Sequence, residues 1–200
     1  MSKGKDTKPH IEIFGRRNNG KSSLINALAG QDLAIVSEVA GTTADPVKKS
    51  IEIAGIGPVI LIDTAGIDDS GELGEKRVAK TREALKVIDL AILVITHNTF
   101  GAPEENLVEE FNDKAVPFFI VHNKSDLSPV TPDLMNSLEE RYKTTVLNFS
   151  AMQNPDTGNV VSTIRRLVPE SAYTSPSLLG DLISYGDVVL LITPIDIEAP

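Results

Sequence analysis

The residues with the clearest chemical purpose lie at Gly15–Ser22, GRRNNGKS, a full match to the spacing G-x-x-x-x-G-K-[ST]. Glycines at 15 and 20 let the backbone wrap so that successive N–H groups turn inward and cradle phosphate oxygens. A helix beginning near Lys21 would add its positive end to the same spot. Lys21 then reaches the β- and γ-phosphates as a point charge, and Ser22 offers a hydroxyl to Mg²⁺. Asn18, Asn19 and Ser23 complete the set of residues expected to contact the nucleotide here. The competing reading is a glycine-rich turn followed by a chance Lys-Ser pair, and the strand before the motif and the helix after it speak against that.

Two further stretches supply what a phosphate loop lacks. Leu61–Gly66, LIDTAG, ends an apolar run in Asp63, a carboxylate able to hold Mg²⁺ through water. Gly66 can give its N–H to the γ-phosphate, so this turn can sense whether that phosphate is present. Asn123–Asp126, NKSD, follows the apolar run FFIVH. A carboxylate at Asp126 can accept two hydrogen bonds from guanine N1–H and N2–H₂, a donor pair that adenine lacks, and can therefore select GTP over ATP. Asn123 is expected to face the base's N7 and tie the loops together, and Lys124 to lay its alkyl stem over the base plane. After the next strand come Ser150 and Ala151, where a backbone N–H can meet guanine O6. Each tetrapeptide is common by chance. Three loops in this order, each at a strand's C-terminal end, are not.

These loops need rigid elements behind them, and the hydrophobic pattern supplies them. His10–Phe14, Val47–Ala54, Val59–Asp63, Leu90–Thr96, Phe118–His122 and Thr145–Phe149 read as strands. Leu90–Thr96 and Phe118–His122 have the continuous apolar character of strands buried on both faces. Lys21–Ala29, Leu73–Lys86, Pro103–Asp113, a segment capped by Thr131 and opened by Pro132, and Thr157–Val168 read as helices. Pro103 suits the first position of its helix, and Glu104 and Glu105 suit its positive end. Gln31–Pro46 reads as a long irregular segment. Strands alternating with helices mean crossover connections and a mostly parallel sheet.

Composition narrows the function further. The 200 residues carry 19 Lys plus Arg against 28 Asp plus Glu, a net charge of −9, without the basic footprint of a general nucleic-acid or anionic-membrane binder. With no Cys, these residues form neither disulfides nor thiolate metal sites. No apolar run approaches the ~20 residues of a membrane span, and the opening MSKGKDTKP lacks an apolar signal segment, so a cytoplasmic protein is expected. The expected layout is a disordered tail over 1–9, a nucleotide-binding domain over 10–170, a linker over 171–176 and, from 177 to 200, the truncated start of a second domain. The alternative is that the apolar run Asp187–Ile195 adds a strand to the first domain. His10, His97 and His122 are scattered at strand ends and read as structural. Glu104-Glu105 and Glu109-Glu110 read as a solvated helix face. Arg16 and Arg17 are open to a partner, a second subunit or solvent.

Taken together, GRRNNGKS, AGTT, DTAG, NKSD and Ser150-Ala151 resemble the GTPase domain of the TRAFAC class, in its TrmE–Era–EngA branch, over about residues 10–168. The resemblance implies an α/β fold, a Ras-like P-loop NTPase three-layer sandwich, with a mainly parallel sheet and Val47–Ala54 as one antiparallel edge strand. Within the branch, IFGRRNNGKSSLINAL, AGTTADPVKKSIEI and the segment LLGDLISYGDVVLLITPIDIEAP resemble the FeFe-hydrogenase maturation factor HydF. That family's third domain holds an iron–sulfur cluster through Cys and His, and no such role can be assigned within these residues. The resemblance implies a GTP/GDP switch that docks partner maturation proteins or releases a cluster precursor, with a homodimer formed through the C-terminal segment.

The hydrolytic machinery is less orthodox. Ras-like GTPases place a water-orienting Gln directly after DTAG, and here that position is Ile67. Asn18 occupies the phosphate-loop position where TrmE-like proteins use Asn to ligate K⁺, and Val36–Thr43 resembles the loop that completes the cage. A K⁺ there would supply positive charge between the phosphates. Equally, Asn18 suits a turn. Glu75 lies twelve residues after Asp63, the spacing of a water-positioning Glu in TrmE-like proteins, though it also fits a solvated helix face. Thr42 or Thr43 is expected to bind Mg²⁺ in the GTP state, with Thr43 preferred. The rival readings are a nucleotide-gated interaction module with negligible turnover, which Ile67 favours, and an Era- or EngA-like ribosome-assembly GTPase, which the net charge opposes.

Overall fold

The computed structural model describes residues 8–30, 35–39 (as backbone), 48–64, 66–67, 85–153 and 155–174. The chain runs β1 His10–Gly15, α1 Lys21–Gly30, β2 Ile35–Val39, β3 Lys48–Ile53, β4 Gly57–Asp63, β5 Leu90–Ile95, α2 Ala102–Asp113, β6 Phe118–His122, α3 Pro132–Tyr142, β7 Val146–Asn148, α4 Thr157–Leu167 and a short 3₁₀ turn, Glu170–Ala172. The strands form one seven-stranded sheet in the order β2-β3-β4-β1-β5-β6-β7. β1 is parallel to both β4 and β5, and β6 continues in parallel to β5 and to β7.

The central strands are apolar on both sides because each face has a helical layer to cover. Along β5, Leu90, Ile92 and Val94 join one core with Leu24, Ile25 and Leu28 of α1 and Val160 and Ile164 of α4. Ala91, Leu93 and Ile95 point the other way, into a second core with Leu107, Val108 and Phe111 of α2 and Leu138 of α3. In that second core, Phe14 and Phe118 each stack tilted on Phe111 at 5.3 Å between ring centroids, a separation at which aromatic pairs attract. Alternation along the strands with period two thus makes the three-layer sandwich that the sequence implies.

Four sequence-based expectations change. The segment read as irregular over Gln31–Pro46 contains β2, whose Ile35-Val36 and Val39 carry the β-branched signature of a strand. β2 pairs antiparallel with β3, so β3 is antiparallel as expected but is not the edge. Pro103 occupies the second helical position of α2, because the helix begins at Ala102. Packing also extends past residue 170: Ala172 is buried in the first core and Tyr173 lies against it, so the first residues assigned to a linker close the domain instead. The helix expected over Leu73–Lys86 and the second domain expected over 177–200 lie outside the described residues apart from 85 and 86.

Candidate functional site

The sheet changes winding direction at β1, where one crossover leads to β4 and another to β5. In such sheets the crevice at the strands' C-terminal ends is where ligands bind. The ends of β1, β4, β5, β6 and β7 carry Gly15–Ser22, Asp63–Ile67, Thr96–Gly101, Asn123–Asp126 and Ser150-Ala151. Every motif singled out in the sequence, within the described residues, therefore reaches one rim.

Backbone geometry explains the glycines of the first loop. Gly15 has φ +149° and Gly20 φ +83°, and a Cβ at either would approach a neighbour to 2.3 Å, Val94 O at Gly15 and Asn123 Nδ2 at Gly20. Asn18, exposed at the crest of the loop, has φ 61°, a left-handed conformation that Asn tolerates better than most residues. The Lys21 ammonium spans the loop and donates to the carbonyls of Gly15 at 3.0 Å and Arg16 at 2.9 Å.

Asn19 stitches this loop to the sheet. Its amide donates to Val94 O at 2.9 Å, its side-chain oxygen accepts from Thr96 Oγ1 at 3.0 Å, and its carbonyl accepts from Asn123 Nδ2 at 2.9 Å. Asn123 is 1% exposed. Its Nδ2 also reaches Gly20 O at 3.4 Å, and its Oδ1 accepts from Ala151 N at 3.2 Å. The expected tie between loops is therefore present.

Around Asp63, Ser22 Oγ donates to Asp63 Oδ2 at 2.5 Å. The other carboxylate oxygen, Oδ1, is buried without a hydrogen-bond partner among the described residues. The DTAG turn is held to β1 by Thr64 Oγ1 donating to Ile13 O at 2.7 Å and by Ile67 N donating to Gly15 O at 3.2 Å. The half-buried Ile67 side chain packs against the second core.

At the other end, Asp126 is exposed and accepts a hydrogen bond from Ser150 Oγ at 2.6 Å, while Ser125 N donates to Phe149 O at 3.0 Å. Lys124, with φ 59°, turns the chain just before them. Two expectations about surrounding residues are revised, those for Glu104 and Thr131, while His122 keeps the structural role expected of it. Glu104 belongs to no solvated face: it is wholly buried and accepts a two-pronged pair from Arg16, Nε to Oε1 and Nη2 to Oε2, both at 2.7 Å. The same carboxylate accepts from Gly101 N at 3.0 Å and so caps α2. Thr131 stands at the N-cap of α3 without a side-chain cap bond, its N–H donating instead to Asn98 Oδ1 at 2.8 Å. His122 is wholly buried, and its Nε2 accepts from Asn98 N at 3.1 Å. Burial pushes this imidazole below the usual histidine range and favours its neutral form.

Glu104 and Asn98 escaped the sequence reading because their partners are remote in the chain. The one local hint was the spacing of Gly101 and Glu104, which fits a carboxylate reaching back to the first N–H of a helix. Of the sequence-based site residues, Thr43 and Glu75 lie outside the described residues. The others, Gly15, Asn18, Asn19, Gly20, Lys21, Ser22, Ser23, Asp63, Gly66, Asn123, Lys124, Asp126, Ser150 and Ala151, stand on the rim described above.

Comparison with known proteins agrees with this geometry. A family model described as "50S ribosome-binding GTPase" matches residues 10–124. The tRNA modification GTPase MnmE of Nitrosomonas europaea is 34% identical over 172 residues, 86% of this chain and 36% of the relative, so the chain spans about a third of that protein's length. Among solved structures, Era in complex with MgGDPNP and nucleotides 1506–1542 of 16S ribosomal RNA aligns with TM-score 0.66 and 25% identity, over 88% of this chain and 60% of that one. Aquifex aeolicus Era bound to GDP and aluminium fluoride aligns with TM-score 0.65 and 26% identity, over 80% of this chain and 56% of that one.

Proposed function

Because this chain belongs to the 50S ribosome-binding GTPase family, of the TRAFAC-class TrmE–Era–EngA type, we propose the following division of labour among the residues of its GTPase domain. The backbone of Gly15–Ser23, with Lys21, grips the phosphates, and Asp126, steadied by Ser150, reads guanine. The observation that carries this is the stitching of the two ends. Asn123, one residue into the base-reading loop, bonds the carbonyls of Asn19 and Gly20 in the phosphate loop. One nucleotide then spans a rigid gap with a recognition group at each side.

The residues fit Mg²⁺, a hard cation that takes oxygen ligands. Asp63 Oδ1 is buried without a hydrogen-bond partner among the described residues, and Ser22 Oγ sits on the same carboxylate. Ser22, Asp63 and, in the GTP state, Thr43 would hold the ion, which when bound neutralises charge on the β- and γ-phosphate oxygens. Lys21 orients the phosphates from the opposite side, and Gly66 offers its N–H to the γ-phosphate. The guanine assignment is tested with Asp126→Asn, which should shift preference toward xanthosine nucleotides because the donor and acceptor at base position 2 are reversed. Unchanged guanine selectivity would refute it.

For turnover we propose K⁺ stimulation through Asn18, with Glu75 positioning water. The left-handed turn at Asn18 also accounts for that residue without an ion, which makes the salt comparison decisive. GTP hydrolysis in KCl should exceed that in NaCl, and Asn18→Ala should abolish the difference. Equal rates in both salts would leave the second reading, a nucleotide-gated interaction module with slow turnover, favoured by the packing of Ile67 against the core.

The biological setting we propose is FeFe-hydrogenase maturation in the cytoplasm, with partner maturation proteins docking according to the nucleotide state and a homodimer formed through residues 177–200. The support is the sequence resemblance to HydF together with the net charge of −9, which disfavours a phosphate backbone as partner. Restoration of hydrogenase activity in cells lacking their own factor supports this role. Failure of that complementation, together with salt-sensitive binding to 16S ribosomal RNA, would transfer the protein to an Era-like role.

A further inference from the structure

The turn after β5 has a geometry that the nucleotide contacts do not require. His97 and Asn98 both have φ 52°, two successive non-glycine residues in the left-handed region. Such conformations persist where the surroundings over-determine them, and here the surroundings are explicit. Asn98 N donates to the buried imidazole of His122 at 3.1 Å. Its side-chain amide donates to Pro129 O at 3.0 Å and to Ser128 Oγ at 3.3 Å, while its Oδ1 accepts from Thr131 N at 2.8 Å.

These partners bracket the NKSD loop. His122 is the residue before Asn123, and 128–131 is the stretch that leaves the loop after Asp126 and Leu127. Within the loop, Leu127 N and Ser128 N both donate to Lys124 O, at 2.9 and 3.1 Å, so the turn is short and closed. One asparagine therefore fastens both the entrance and the exit of the segment that presents Asp126. His122 can serve as the anchor because a neutral imidazole accepts at Nε2 when its proton is on Nδ1, and burial favours the neutral form.

We propose that Asn98, anchored on His122, is a positioning residue for base selectivity. It touches no part of the nucleotide and sets where the Asp126 carboxylate stands relative to the purine's 2-amino edge. This rests on the reading of Asp126 as the guanine-recognising group. The chemistry it controls is discrimination between guanine and hypoxanthine, which lacks that amino group.

The test uses calorimetric affinities for GDP, IDP and inorganic pyrophosphate with Mg²⁺ present, in the wild-type chain and four variants. Asn98→Gly removes the side chain while tolerating the left-handed turn, so loss of its bonds is separated from backbone strain. His122→Leu removes the acceptor, and His122→Gln supplies another. Asp126→Asn serves as the reference for base reading itself. The expected result is a GDP-over-IDP preference that falls about tenfold in Asn98→Gly and His122→Leu, the scale of one hydrogen bond. The preference recovers in His122→Gln, and pyrophosphate affinity stays unchanged throughout. An unaltered GDP/IDP ratio in Asn98→Gly, with the ratio collapsed in Asp126→Asn, overturns the inference and leaves the base reading standing. Parallel loss of GDP, IDP and pyrophosphate also overturns it, because that pattern belongs to general destabilisation. A ratio untouched by Asp126→Asn removes the base reading and the inference with it.

Discussion

Glu104 and Glu105 are neighbours on α2 with the same charge, and the structure assigns them very different weights. Glu104 is 0% exposed and holds Arg16, itself 29% exposed, in a planar two-bond pair, while also accepting from Gly101 N. Glu105 meets Arg141 at the same 2.7 Å, but the two side chains are 37% and 58% exposed. Hydrogen bonds to charged groups contribute about 1.5–3 kcal/mol each, and loss of one partner of a buried pair costs about 3–5 kcal/mol. Arg16 can turn to solvent once released, which lowers the cost of Glu104→Ala to about 2–4 kcal/mol. An exposed pair such as Glu105–Arg141 is worth ~0–1 kcal/mol. At about 2–4 °C per kcal/mol for a domain of this size, Glu104→Ala should lower Tm by roughly 4–16 °C and Glu105→Ala by under about 4 °C. Circular dichroism melts and urea midpoints, read side by side, give both values. GDP affinity should also fall in Glu104→Ala only, because Arg16 lends its carbonyl to Lys21. Equal melting shifts for the two variants, or a Glu104→Ala protein within ~0.5 kcal/mol of wild type, would refute the assignment of Glu104 as the anchor of the phosphate loop.

Gly20→Ala places a methyl group 2.3 Å from Asn123 Nδ2 at φ +83°, and GDP affinity measured by titration should fall by at least about tenfold while the fold survives. Lys21→Ala should lose nucleotide affinity, and a full-affinity variant would show that the ammonium stays on Gly15 and Arg16 when ligand is present. Glu12, buried on β1, has its carboxyl pushed by desolvation from 4.5 to about 7, with Lys48 opposing the rise. The folded protein therefore holds a proton there that the unfolded chain releases, and stability falls as pH rises from 4.5 to about 7. Urea midpoints at the two ends of that window should differ less in Glu12→Gln than in wild type, and an unchanged slope would show that another group is responsible.

The parts of this molecule legible in sequence are those whose cause is local. Gly15, Gly20 and Lys21 announce themselves because backbone sterics and phosphate geometry act over a few residues. The doubly buried strands β5 and β6 are legible because their apolar character is continuous. What stayed hidden was non-local. β2 gains its place only by pairing with β3 across a gap in the sequence, and its Ile35-Val36 signal was outweighed by the AGTT that follows. Glu104 looked like an ordinary first-turn acid because Arg16 lies 88 residues earlier. Asn123 was legible as a tie between loops, but not its particular partners, since nothing in NKSD says that its amide meets Asn19, Gly20 and Ala151.

The bonds that join Asn19 to Val94, Thr96 and Asn123 tie the two halves of the rim to each other. The crevice acts as a caliper with locked jaws, whose span is fixed by the sheet before any ligand arrives. A nucleotide analogue lengthened between sugar and first phosphate cannot be accommodated by opening the jaws, and one shortened there leaves a grip empty.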